Sequence, residues 1–87
     1  MLRVNERICP VCRGILNLND NPHVIEYHFK RNKYYDIQCY KNKISESLRN
    51  EYRKMKFYNW DEDFIEEFTK NYILERLKNR DISIIHD

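Results

Sequence analysis

Alanine is absent from this chain, and glycine occurs once, at position 14. With Asn, Ile, Lys and Tyr abundant, the missing alanine is the codon signature of an AT-rich genome, a property of many viral and phage genomes and of many cellular ones. There is no run of about eighteen apolar residues, which excludes a membrane-spanning helix. The opening "MLRVNERICP" has no apolar core of the kind a secretory signal requires. Repeats, low-complexity tracts and linkers are also missing. The expectation is a single domain over residues 1–87, cytoplasmic or in another reducing intracellular setting. Within it, residues 1–40 read as a knuckle and β-hairpin, 41–80 as a two-helix segment and 81–87 as a tail. In such a setting a Cys-x-x-Cys pair reads as a metal or redox site before it reads as a disulfide. A domain of this length gains little from its core alone, and a metal is a common staple.

What is present is unevenly distributed. The net charge is only +2, yet Lys30 to Lys56 carries nine Lys/Arg against three Asp/Glu, and Phe57 to Asp87 eight Asp/Glu against four Lys/Arg. A basic middle and an acidic C-terminal third have two readings. One is an electrostatic footprint for nucleic acid. The other is neutralisation between two packed helices.

The pattern reads as an α+β chain: a cysteine knuckle and small antiparallel sheet, followed by two α-helices. Leu2, Val4 and Ile8 alternate as a short strand entering the cysteine pair, and Ile15, Leu16 and Leu18 form a second. Asn17 to Pro22 is dense in turn formers. Val24–Phe29 and Tyr34–Ile37 are rich in β-branched and aromatic residues, with Arg31-Asn32-Lys33 as a turn between them. Pairing Lys30 with Tyr34 puts Ile25 opposite Cys39. One face then holds His23, Ile25, Tyr27, Phe29, Tyr35, Ile37 and Cys39. The polar face holds Val24, Glu26, His28, Tyr34 and Asp36. The first helix is predicted over about Lys41–Phe57, on the stripe Ile44, Leu48, Tyr52, Met55. The second is predicted over about Trp60–Asn79, with Asn59 and Glu62 resembling a capping box, acids in its first turn and bases in its last. The closing "DISIIHD" reads as a short edge strand or a docked apolar tail.

The cysteines carry the clearest chemistry. Zinc in structural sites takes four Cys or His ligands in a tetrahedron. Cys9 and Cys12 supply two from one tight turn, and Gly14 can adopt the left-handed backbone such a turn requires. Cys39 is the natural third. In the hairpin register above, His23 shares the face and the open end with Cys39, so the expected set is Cys9, Cys12, His23 and Cys39, spaced Cys-x2-Cys-x10-His-x15-Cys. His28 is the runner-up if the turn is off by one residue. Cys9, Cys12, His23 and His28 alone resemble the Cys-Cys-His-His zinc finger, but that finger carries both histidines on a helix, and "PHVIEYHF" reads as a strand. Buried core thiols without metal are the bland alternative. A thioredoxin-like redox pair would open a helix, which the strand-like residues after Gly14 oppose.

Over residues 8 to 57, the knuckle Cys9-Pro10-Val11-Cys12-Arg13-Gly14, the hairpin and Cys39 just before a helix resemble a treble-clef or zinc-ribbon arrangement. The resemblance implies a zinc-dependent scaffold that hosts unrelated functions. Treble clefs commonly draw their last two ligands from the helix start. Asn42 occupies the second such place here, so His23 comes from the hairpin register and not from the family. The expected cofactor is one structural Zn²⁺ per chain.

Three roles are open at this level. The first is a binding module, of a viral, phage or regulatory type, contacting nucleic acid or a nucleic-acid-handling protein. Its contacts would be Arg49, Arg53 and Lys56, with Lys41 and Lys43 beside them and Tyr34, Tyr35 and Tyr40 available for stacking. The second is an acidic-helix protein-interaction or inhibitor module, or a homodimer, using Trp60, Phe64 and Phe68. The third and weakest is a His-Asn-His-type nuclease, for which only His28 opposite Asp36 speaks. The balance favours a non-catalytic protein.

Overall fold

The computed structural model describes residues 2–55 and 61–86. In order these form β1 Glu6–Ile8, β2 Ile15–Asn17, β3 His23–Glu26, β4 Lys33–Asp36, α1 Ile37–Met55, α2 Glu62–Lys78 and β5 Ile82–Ile85. The α+β class is as expected. A two-stranded ribbon β1–β2 and a three-stranded antiparallel sheet, order β4-β3-β5, accompany the two helices. Lys56, Phe57, Asn59 and Trp60, named above for helix ends and contacts, lie outside the described residues, as does the side chain of Met55.

The hairpin register differs from expectation. His23 pairs with Asp36, Val24 with Tyr35, Ile25 with Tyr34 and Glu26 with Lys33. The shift is by an odd number of residues, so the two faces exchange. Val24 and Glu26, assigned to the polar face, are buried with Tyr35, whereas His23 and Ile25 share the other face with Tyr34 and Asp36. The cause is Asp36. Its Oδ1 accepts the backbone N–H of Gln38 at 3.0 Å and of Cys39 at 3.4 Å. That is an N-cap, and it starts α1 at Ile37, four residues before the expected start at Lys41. Ile37 and Cys39 are therefore helical, and residues 27–32 form a loop longer than the three-residue turn expected.

The C-terminal segment is an edge strand. β5 lies antiparallel on β3, with Val24 opposite Ile84 and Glu26 opposite Ile82. Strand β3 is thus central. Its Val24 belongs to one buried cluster with Tyr35 and Ile82, Tyr40 and Ile44 from α1, and Ile73 from α2. Val24, Tyr35, Tyr40 and Ile82 are each at most 2% exposed. Ile65, Thr69 and Ile73 are the buried residues of α2, at a four-residue spacing. Thr69 fits there because its Oγ1 lies 3.0 Å from Ser45 Oγ of α1. The N-cap of α2 is Asp61, which accepts the Phe64 N–H at 2.8 Å, and not Asn59 as predicted.

With a single glycine, the chain meets its left-handed positions with arginine: Arg13 at φ 63° and Arg80 at φ 62°. Gly14 does not take a positive φ, contrary to expectation. Arg80 closes α2 in a Schellman geometry. Its own N–H donates to Leu77 O at 3.1 Å, and the Asp81 N–H donates to Arg76 O at 2.9 Å. Left-handed backbone costs a side-chain-bearing residue roughly 1–2 kcal/mol, partly offset by the greater unfolded freedom of glycine. Arg80→Gly is therefore expected to raise stability by about 0.5–1 kcal/mol, read as a higher urea midpoint. An unchanged or lower midpoint would contradict the assignment of strain to Arg80.

Candidate metal centre

The β1–β2 ribbon exists to close a tight loop. Ile8 pairs with Ile15, and the six residues Cys9 to Gly14 turn between them. The Cys9 N–H donates to Gly14 O at 2.9 Å and the Arg13 N–H donates back to Cys9 O at 2.8 Å. Left-handed Arg13 then brings the Gly14 N–H to 3.4 Å from Cys12 Sγ. A Cβ on residue 14 would sit 3.3 Å from that sulfur, so glycine serves here by close approach and not by its φ.

The third cysteine arrives from α1. Because Asp36 caps the helix, Cys39 falls in its first turn. The sulfurs of Cys9, Cys12 and Cys39 lie within 4.8 Å of one another. Three ligands of a tetrahedral zinc at the usual Zn–S length stand about 3.8 Å apart, so this grouping is of ligand size. All three are free thiols, with Cys9 buried, Cys39 half-buried and Cys12 exposed, which leaves an ion a way in. Burial pushes the Cys9 thiol up, but the backbone N–H groups of Cys12, Asp36 and Val11 outweigh it and hold the group below the usual thiol range. Burial, with Cys12 and Cys9 beside it, pushes Cys39 up to about 12.

The structure does not bring a histidine into this sulfur group. His23 is buried at the start of β3, and its Nδ1 lies 2.8 Å from the Asn21 carbonyl oxygen. A carbonyl only accepts, so Nδ1 carries the hydrogen and Nε2 keeps its lone pair. His28 is engaged elsewhere, its Nε2 2.6 Å from Glu26 Oε1. Neither histidine is on a helix, as the zinc-finger reading would need. The expected pairing of His28 with Asp36 does not occur, because Asp36 stands opposite His23.

The other sequence candidates are dispersed. Arg49 bridges the helices, its guanidinium 3.1 Å from Glu46 and 2.6 Å from Glu62. Lys43 Nζ is 3.3 Å from Tyr35 Oη and 3.8 Å from Glu26. Arg53 bonds Asn50, and Lys41 is exposed beside the groove between α1 and α2. Tyr35 and Tyr40 are buried and are not available for stacking, whereas Tyr34 is half-buried. Phe64 and Phe68 are 45% and 42% exposed and touch one another, with Tyr52 against Phe64.

The sequence reading missed Glu26. This carboxylate is 5% exposed and meets His28, the Tyr40 hydroxyl at 3.3 Å, Lys43 at 3.8 Å and Arg76 at 3.7 Å. It thereby joins β3, α1 and α2. Its signal was an acid at the second place after Val24, on the same strand face; its partners come from helices distant in sequence. Burial pushes the Glu26 carboxyl up, but His28, Lys43 and Arg76 outweigh that and hold it below its ordinary 4.5. Burial pushes the Tyr40 hydroxyl up to about 12.

Comparison of the chain with protein-family models, with curated proteins and with solved structures gives no match. Among the described residues no helix is long and apolar enough to cross a membrane.

A depressed carboxyl pKa stabilises the fold above the unfolded value and loses that contribution as pH falls through the folded one. Glu26→Gln is expected to cost about 1–3 kcal/mol at neutral pH. The gap to wild type should shrink once pH falls below 4.5. Urea midpoints of both proteins across that range check this; a gap independent of pH would show that the carboxylate charge is not responsible.

Proposed function

We propose that the chain is a small zinc-stabilised binding module of treble-clef or zinc-ribbon type, whose surface contacts nucleic acid or a nucleic-acid-handling protein. The observation that carries this reading is the convergence of Cys9, Cys12 and Cys39 within 4.8 Å, from two elements far apart in sequence. Thiolates select zinc among the abundant divalent metals of a reducing cytoplasm.

His23 is the proposed fourth ligand, through Nε2. Three features support it. It is the buried imidazole, its Nδ1 is oriented by a backbone carbonyl as metal-bound histidines commonly are, and its strand neighbour is Asp36, the residue that caps the helix bearing Cys39. Four protein ligands would close the site and make the zinc structural, so the module reads as a binder and not an enzyme. The half-exposed Phe64 and Phe68 favour a second reading, a protein contact or homodimer through α2.

Metal analysis of protein purified under reducing conditions should find about one zinc per chain; a metal-free folded protein would overturn the reading. Cys39→Ser is expected to abolish the fold, since metal-binding free energy in such domains, roughly 10–16 kcal/mol, is folding free energy. His23→Ala should lower zinc content and helical circular dichroism, and His28→Ala should retain both. The reverse order would make His28 the ligand.

A further inference from the structure

On the helices, Lys43, Arg49 and Arg76 each stand within 4.0 Å of a carboxylate, whereas Lys41, Arg53, Lys54, Lys70 and Lys78 are spread along them without one among the described residues. At the N-terminal end, a cleft of about 760 Å³ opens between the strand leading into the knuckle and the loop before β4. Arg3, Arg7, Arg31 and Lys33 line it, and among the described residues none of the four has a carboxylate partner. Glu6 is the one acid in the lining, and its Oε1 accepts the Arg3 backbone N–H at 3.0 Å. Tyr34 forms part of the wall, with the Arg7 guanidinium 5.2 Å from its ring centre. Arg7 is held there by the carbonyls of Val4 and Glu6, at 2.8 and 2.7 Å.

We propose that this cleft binds single-stranded nucleic acid, with phosphates on Arg3, Arg31 and Lys33 and a base against the Arg7–Tyr34 pair. The assignment rests on the binding-module reading above and moves the contact surface from α1 to the knuckle end. Four uncompensated cations around one concavity suit a polyanion that repeats its charge along a flexible strand. The guanidinium–phenol pair offers a flat surface of the kind on which unstacked bases lie. A duplex is disfavoured because its base faces are covered. The cleft wall includes Ile8 and Pro10 on either side of Cys9, so the metal loop shapes the site.

Fluorescence anisotropy with an oligo-dT or oligo-rU strand of about twelve nucleotides tests this. Zinc content and circular dichroism are measured on the same samples, so that failure of the metal reading and failure of the cleft reading are told apart. The strand is expected to bind more tightly than a duplex of equal length or poly-glutamate. The triple variant Arg3→Ala/Arg31→Ala/Lys33→Ala should weaken binding at least about tenfold, and the slope of log affinity against log salt should flatten by about 2. Tyr34→Leu should weaken binding without changing that slope, and Lys70→Ala/Lys78→Ala on α2 should stay within about twofold of wild type. Each of the following overturns the proposal: folded protein that does not bind the strand at low salt, cleft variants that bind like wild type, loss on Lys41→Ala/Arg53→Ala instead, or equal affinity for the duplex or poly-glutamate.

Discussion

The meeting of three sulfurs at the start of α1 is the constraint on which the N-terminal half depends. The ribbon from Glu6 to Asn17 contributes only Cys9 and Leu16 to the buried core, while Ile8 and Ile15 are 48% and 61% exposed. Burying one leucine is worth about 1.5–3 kcal/mol, whereas ordering a dozen residues costs on the order of ten or more. Hydrogen bonds within the ribbon do not close that gap. The proposed zinc shared between the knuckle and Cys39 would, since zinc binding in such domains is worth roughly 10–16 kcal/mol. Asp36 is the hinge of this arrangement. Its side chain caps α1 and so delivers Cys39, while its backbone pairs with His23 on β3.

A second knot holds the remainder. Glu26 on central strand β3 gathers Tyr40 and Lys43 from α1 and Arg76 from α2, so the sheet and both helices share one buried charge. Desolvation consumes much of the Coulomb gain at such a site, and removing one partner strands the remaining charge. The knot also divides the surface. Lys43, Arg49 and Arg76 on the helices are spent internally, on Glu26, Glu46 and Glu62, and the cleft beside the knuckle gathers four cations without a carboxylate partner among the described residues. The basic middle of the sequence is thus divided: Lys43 and Arg49 on α1 are neutralised by carboxylates, and Arg31 and Lys33 are not.

The parts of the fold legible from sequence were those set by local patterns. Cys9, Cys12 and Cys39 could be grouped from residue type and spacing, α1 from its apolar stripe and α2 from its end charges, and β5 was one of two readings of "DISIIHD". The β3–β4 register was not legible. Tyr34 to Ile37 favours a strand by composition, and the competing signal, an aspartate three residues before a cysteine that the helix needs, is one hydrogen-bonding side chain. With the register shifted, Tyr35 keeps the buried face on β4 and the alternation of β3 inverts against it, which is why Val24 and Glu26 turned out buried. Glu26 itself was unreadable because its cations lie seventeen and fifty residues further on, at Lys43 and Arg76, and only the packed helices bring them near.

The central claim is that the three cysteines and one imidazole hold a zinc ion that ties the ribbon to α1. X-ray absorption at the zinc edge of the purified protein addresses it directly. The account predicts three sulfur neighbours at about 2.3 Å and one nitrogen at about 2.0–2.1 Å, with the nitrogen lost from the spectrum of His23→Ala. A zinc shell made of nitrogen and oxygen alone, or a spectrum with fewer than three sulfurs, would contradict it.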